Sequence, residues 1–350
     1  MRRLCKRHVF CENARGSAPT CPERNMEEKK LALTEEGIID EPGISSRWLR
    51  LPTGAIAHYM TAGDSGPAVV LLHGGLAGSS GMAGWRFMLP FLGKNGFRVY
   101  APDRPGFGQA DAREEHRPTL GWKSTVEFID QFVNTLALDK FYIGGNSQGC
   151  QSAMYYIINH PERILGAPLI ATAGLANLVG VDPSKLKKSD FTYPPFDGTK
   201  QSMLTLMTSI IYRAEAVSDD LLEMRTRAGN VQKESLEALR QGMGTKDPNQ
   251  LQWLDISKRL PKLNIPMIYL QGLQDVTAVI DNIKQAEPYL PNIQFFYPDK
   301  CGHQGQTDQP DMFNQVFLEF LRDGKVSRKT ADWAGVSKNR PELPNVVAKA

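Results

Sequence analysis

Short β-rich runs alternating with longer segments of helical period predict an α/β fold: an eight-stranded, mostly parallel sheet with helices on both faces and a helical cap. Three observations carry this. Residues 68–72, 98–101, 141–144, 167–170, 267–270 and 293–297 are largely apolar runs, as expected of strands buried on both faces. Residues 47–51 and 55–61 are two further β-rich runs separated by Pro-Thr-Gly, which reads as a hairpin. The interval from about Leu175 to Leu260 has helical patterns only, between two buried strands, and so reads as a cap over one edge of the sheet.

The helices follow from spacing. Val126, Ile129, Phe132, Val133 and Leu136 form one core-facing stripe, and Met312, Phe313, Val316, Phe317, Phe320 and Leu321 form another. In the cap interval, Met203, Leu206, Met207, Ile210 and Ile211 make an amphipathic helix, and 219–227 and 235–242 have helical patterns. These elements divide the chain into an N-terminal extension disordered in part (1–43), a first core segment (44–174), the cap (175–260), a second core segment (261–322) and a loose or surface-draped C-terminal tail (323–350). Cys5, His8, Cys11 and Cys21 have zinc-ligand types but no common zinc spacing, so the first 25 residues read as an extension without metal. Met26 is an alternative start.

The 350 residues are 41% apolar and 23% charged, the balance of a globular protein with a large core. No run approaches the roughly 20 apolar residues of a membrane-spanning helix. The net charge of +3 resides in the ends: residues 31–321 carry 26 basic and 31 acidic side chains, which disfavours nucleic acid as a partner. The Arg-rich start has no apolar stretch of secretory type, and the five cysteines form no dense paired framework. A cytoplasmic location with free thiols is the expectation.

The chemistry concentrates at Gly144-Gly145-Asn146-Ser147-Gln148-Gly149, a G-x-S-x-G motif between a strand run and a helical segment. A serine on such a turn is pushed into the open, with small neighbours allowing close approach, and requires a base to become nucleophilic. Among six histidines, His303 in Cys301-Gly302-His303 lies past the last strand and before the final helix, where the sheet's C-terminal edge brings it to the serine. His58, inside an early strand, reads as a surface or packing residue. Asp275, after the strand at 267–270, is placed to orient the imidazole. The order Ser147, Asp275, His303 is that of an α/β-hydrolase. His73-Gly74-Gly75-Leu76 follows the strand at 68–72 and supplies an oxyanion donor at the Gly75 amide, with the Gln148 amide as the second. His73 reads as structural, and Asp103 and Arg104 in the turn 102–108 read as an ion pair.

On these residues the chain, from about Arg47 to Leu321, resembles the α/β-hydrolase superfamily and, within it, the meta-cleavage product hydrolases, which split carbon–carbon bonds. The closer resemblance rests on Asn146 before the nucleophile, the His73-Gly74-Gly75 loop, the turn Asp103 to Gly108, and Cys301-Gly302-His303 followed by Gln306. In the cap, Asp220-Leu221-Leu222-Glu223-Met224-Arg225 is similar to the family's segment carrying a substrate-binding arginine. The chain departs from the family at Leu76-Ala77-Gly78, usually Gly-Pro-Gly, and at Gln304, usually tryptophan.

The resemblance implies a small-molecule substrate, a vinylogous diketone acid from aromatic ring cleavage, bound by Asn146, Arg225, Gly74 and Gln304. It implies no metal or organic cofactor, no membrane partner, and a homo-oligomer as one option for assembly. A solvated helix arginine is the plain alternative for Arg225. A carboxylesterase or lactonase with the same triad is the second functional reading, because ester cleavage needs the same groups without ketonisation. A non-catalytic binding protein is a third class, opposed by the intact Ser147, Asp275 and His303. Epoxide hydrolases and haloalkane dehalogenases of this superfamily have an aspartate where Ser147 stands.

Overall fold

A computed structural model describes residues 33–343 and 346–347. The cysteine and histidine group at 5–21, Met26 and the rest of 1–32 lie outside the described residues. Eight strands form one sheet: β1 (Ser45–Arg50), β2 (Ile56–Ala62), β3 (Ala68–Leu72), β4 (Arg98–Pro102), β5 (Phe141–Asn146), β6 (Ile164–Ile170), β7 (Met267–Leu270) and β8 (Ile293–Phe296). Their spatial order is β1-β2-β4-β3-β5-β6-β7-β8. The hairpin β1–β2 is antiparallel, β2 joins β4 antiparallel, and every pairing from β4 to β8 is parallel.

The parallel strands are mostly apolar because helices cover both faces. In β3, Ala68, Val70 and Leu72 point into one core with Val126, Ile129 and Phe132 of the helix Trp122–Thr135. Val69 and Leu71 point into the other, with Trp85, Leu92, Phe313 and Phe317. Period-two alternation therefore feeds two apolar layers at once.

The cap has its own cluster. Met203, Met207 and Ile210 pack with Leu222, Leu236 and Leu239 and rest on Ala77 and Phe107 from core loops. The ends of the interval behave differently: Leu175, Val179, Leu254, Ile256 and Leu260 are buried with the main sheet core. The segment with its own cluster is thus narrower than 175–260, since helical periodicity does not reveal which layer receives the apolar face.

The described parts of both end segments are more ordered than their composition suggests. Ile38 and Ile39 are buried against the second core layer, so the packed chain starts before residue 44. The C-terminal segment is not loose. It forms the helix Arg328–Trp333, buries Val326, Ala331 and Ala334, and pairs Val336 with Phe296 on the outer edge of β8. The buried Glu287 carboxylate accepts the Ser337 hydroxyl at 2.9 Å. A few small apolar residues anchor this segment among many polar ones, which average composition conceals. Among the described residues no helix is long and apolar enough to cross a membrane.

Candidate active site

Ser147 sits between β5 and the helix Gln148–Asn159, with φ 58° and ψ −123°. A side chain in this region stores strain that the surrounding contacts must hold. Its N–H donates to the Ile170 carbonyl at 3.0 Å, fastening the turn to β6. The helix enters tightly enough that a Cβ on Gly149 would come within 2.1 Å of the Leu72 carbonyl, so only glycine fits.

His303 is brought to the same place. Asn146, the residue before Ser147, donates its amide to the His303 carbonyl at 2.9 Å, and His303 N–H donates to the Ile210 carbonyl of the cap at 2.9 Å. The imidazole is buried, with Nδ1 at 2.9 Å from Asp275 Oδ2. His303 Nε2 has no partner. The Ser147–His303 hydrogen bond is not formed in this structure; such contacts commonly tighten only in the substrate complex.

Asp275 is held by groups the sequence reading missed. The Thr277 hydroxyl donates to Asp275 Oδ1 at 2.7 Å and lies 2.9 Å from His303 Nδ1. Gln271 Nε2 donates to Asp275 Oδ2 at 2.7 Å, and Tyr269 donates to Gln271 in turn. Burial pushes the Asp275 carboxyl up, but the His303 charge and the Thr277 hydrogen bonds outweigh it and hold the group below the usual carboxylate range. Asp308 was missed too. Its carboxylate accepts Gly302 N–H at 2.7 Å and Arg213 N–H at 2.8 Å, tying the histidine loop to the cap, and burial raises its pKa. The only sequence signal was an acid five residues past the histidine.

The two expected oxyanion donors, Gly75 N–H and Gln148 N–H, meet no backbone or side-chain acceptor among the described residues. Gly74 lies beside Ser147: a Cβ built on it would stand 3.5 Å from Ser147 Cβ and from Asn146 Oδ1. Its carbonyl is taken up by Arg104 Nη2 at 2.7 Å and His73 Nδ1 at 2.8 Å. Asn146 uses one of its two amide N–H groups on the His303 carbonyl, which positions the histidine. Gln304 is buried beside His303, and its carbonyl accepts Thr307 N–H.

Arg225 is no solvated surface arginine. It is 1% exposed and reaches from the cap helix Asp219–Val231 to the glycine-rich loop, donating through Nη2 to the Ala77 carbonyl at 3.0 Å and Ser79 Oγ at 3.2 Å. Nε has no partner. Burial, then the charge of Arg86, pulls its pKa down to about 9. Arg227 is the exposed member of this helix, paired with Glu223 at 2.6 Å.

The expected Asp103–Arg104 ion pair is absent. Asp103 Oδ2 instead lies 2.7 Å from His58 Nδ1, whose Nε2 is 2.9 Å from Ser46 Oγ. Of the two readings for His58, surface or packing, the structure shows the packing one: it is buried and bridges Asp103 and Ser46. Asp103 also accepts Gly81 N–H and Gln109 N–H, bracing the loop around the site. Arg104 points the other way, to Gly74 and over the Phe107 ring at 4.8 Å.

His73 accepts the Arg104 N–H on Nε2 at 3.0 Å, which requires a neutral ring. Burial first, then the nearby Arg104, depresses its pKa from 6.5 to about 3. The unfolded chain takes up this proton below about pH 6.5 and the folded chain does not, so the stabilisation is full above that pH and is lost progressively toward pH 3. Urea unfolding at several pH values is expected to show this decline, and His73→Gln should remove about one proton from its slope. An unchanged slope would refute the neutral ring.

Among the described residues no three His, Cys, Asp or Glu side chains form a metal-ligand group. The arrangement offers a strained serine, an imidazole anchored by a carboxylate, two amide donors without an acceptor among the described residues, and a buried guanidinium bonded to Ala77 and Ser79 of the glycine-rich loop.

Comparison with known proteins agrees with this fold. A family model described as the alpha/beta hydrolase fold matches residues 67–310. The chain is 29% identical to the 2-hydroxy-6-oxo-6-phenylhexa-2,4-dienoate hydrolase of Burkholderia cepacia, over 76% of this chain and 91% of that protein. It is 27% identical to a 2-hydroxy-6-oxononadienedioate/2-hydroxy-6-oxononatrienedioate hydrolase of Pseudomonas putida, over 79% of this chain and 96% of that one. Among solved structures, a 2-hydroxy-6-oxo-6-phenylhexa-2,4-dienoate hydrolase from a Rhodococcus species superposes with TM-score 0.64 at 24% identity, covering 80% of this chain and 99% of that chain. A family model spanning most of the chain, over a sheet that presents its serine on the strand-to-helix turn this fold requires, leaves one conclusion. The chain belongs to the alpha/beta hydrolase fold family.

Proposed function

We propose that this protein is a serine-dependent hydrolase that cleaves a carbon–carbon bond in a ring-fission dienoate or related diketone. Ser147 is the nucleophile, His303 the base, Asp275 its anchor, and the Gly75 and Gln148 amides the oxyanion donors. The observation that carries the reading is the meeting of two features: a serine elbow tied through Asn146 to His303, and a buried cap arginine over the glycine-rich loop. The names of the two relatives given above, both dienoate hydrolases, support the substrate class.

A carbanion is a poor leaving group, so the dienol is first ketonised: its hydroxyl proton moves to the carbon that will depart. His303 shuttles protons. Ser147 then attacks the ketone as His303 takes its proton, and the two amides hold the oxyanion. The carbon–carbon bond breaks, its electron pair leaves as a stabilised enolate that is reprotonated, and the acyl group stays on Ser147. Water activated by His303 releases the acid. Arg225 holds the substrate carboxylate by charge-assisted hydrogen bonds, using the unpartnered Nε and its neighbours.

Steady-state kinetics test this with two substrates, a carboxylated ring-fission dienoate and a neutral p-nitrophenyl ester. Arg225→Met should lower kcat/KM for the dienoate roughly 10- to 100-fold and that for the ester much less. Equal losses on both would discard the arginine's role. Turnover of the ester with none of the dienoate would move the assignment to a carboxylesterase or lactonase.

A further inference from the structure

The side chain of Gln148 has no part in the reading above, which uses only its backbone. Its carboxamide lies directly against Gly75: a Cβ built on that glycine would come within 1.9 Å of Gln148 Cδ and Oε1. A long polar side chain is thus seated beside the loop bearing the other oxyanion donor. Gln148 Oε1 is buried and has no hydrogen-bond partner. The residue as a whole is only half-buried, as is Ser147 beside it, so both border accessible space rather than the core.

An unpaired buried carbonyl oxygen is unfavourable, and a ligand that donates a hydrogen bond to it removes that cost. Packing does not call for this oxygen, because methionine or leucine fills similar space without leaving an acceptor unpaired. The acceptor stands next to Gly75, whose amide the proposed mechanism assigns to the reacting carbonyl oxygen, so the complementary donor belongs to the part of the substrate attached to that carbonyl.

We infer that Gln148 Oε1 is a specificity determinant that selects substrates whose acyl portion carries a hydroxyl close to the reacting carbonyl. The inference rests on Ser147 being the nucleophile and deepens that reading by naming the acyl class. Sites built to hydrogen-bond a substrate hydroxyl discriminate against analogues lacking it, because the site's own polar group is then left unpaired.

The test uses the full chain with two matched esters, p-nitrophenyl butanoate and p-nitrophenyl 3-hydroxybutanoate, each rate divided by its uncatalysed rate. The unaltered protein is expected to prefer the hydroxylated ester about tenfold in kcat/KM, and Gln148→Met to bring the ratio to about one. A ratio near one in the unaltered protein overturns the inference without any variant. An undiminished ratio in both Gln148→Met and Gln148→Leu overturns it as well. Hydrolysis of both esters at equal rates, or of neither, defeats only this assignment, whereas undiminished turnover by Ser147→Ala defeats the nucleophile reading and this inference with it.

Discussion

Ser147→Ala should lower turnover by at least about 10⁴-fold while leaving the protein folded. The alanine keeps the backbone of the elbow and both amide donors but removes the only atom that can form the acyl-enzyme. Substrate should still bind, so KM or a direct binding constant should change far less than kcat. The backbone strain gives a second readout. With φ at 58°, a residue bearing a Cβ at 147 is held against its preference, and glycine relieves that strain. Ser147→Gly should therefore be as inactive as Ser147→Ala, yet more stable to urea by about 1 kcal/mol. An alanine variant that turns over substrate at near the parent rate would remove Ser147 from the mechanism.

Asp275→Asn is expected to lower kcat by about 10³- to 10⁴-fold. The aspartate accepts the Nδ1 proton of His303, which leaves Nε2 unprotonated and able to take the proton of Ser147. An asparagine presents an N–H to the same ring atom and favours the opposite tautomer, with Nε2 already carrying its proton. Thr277 modulates the loss. Its hydroxyl lies 2.9 Å from Nδ1 and can accept that proton, so Thr277→Val combined with Asp275→Asn should lose more than Asp275→Asn alone. Single-turnover rates of the variants measure this. A parent-like kcat for Asp275→Asn would mean that another group sets the tautomer. Because the Asp275 carboxyl is held below its ordinary range, its support of the fold is present at neutral pH and is lost only as acid protonates it, below about pH 4.

The readable and unreadable parts of this site differ in kind. The elbow was legible because a strand, a glycine-flanked serine and a helix are contiguous, and local sterics alone set that turn. The order of Ser147, Asp275 and His303 was legible because parallel strands expose the ends of successive loops along one edge. The neighbours of Asp103 were misread for an equally local reason. Adjacency along the chain suggested a pair with Arg104, yet successive side chains in extended backbone point to opposite sides. One therefore meets His58 on β2 and the other meets Gly74. Thr277, Gln271 and Asp308 left little trace in the sequence, since ordinary polar residues near turns match them equally well. The C-terminal segment was misjudged because its anchors are only a few small apolar side chains.

The sequence by itself determined the layered α/β architecture, the position of the cap and the residue types of the candidate triad. Apolar periodicity and turn chemistry act over a few residues and are written directly in the chain. The tertiary structure alone decided which hydrogen bonds each polar group makes, that Arg225 is buried, and that Gln148 keeps an acceptor unpaired. Those outcomes depend on which distant surfaces are pressed together, and a buried polar group takes whichever partner that packing brings within about 3 Å.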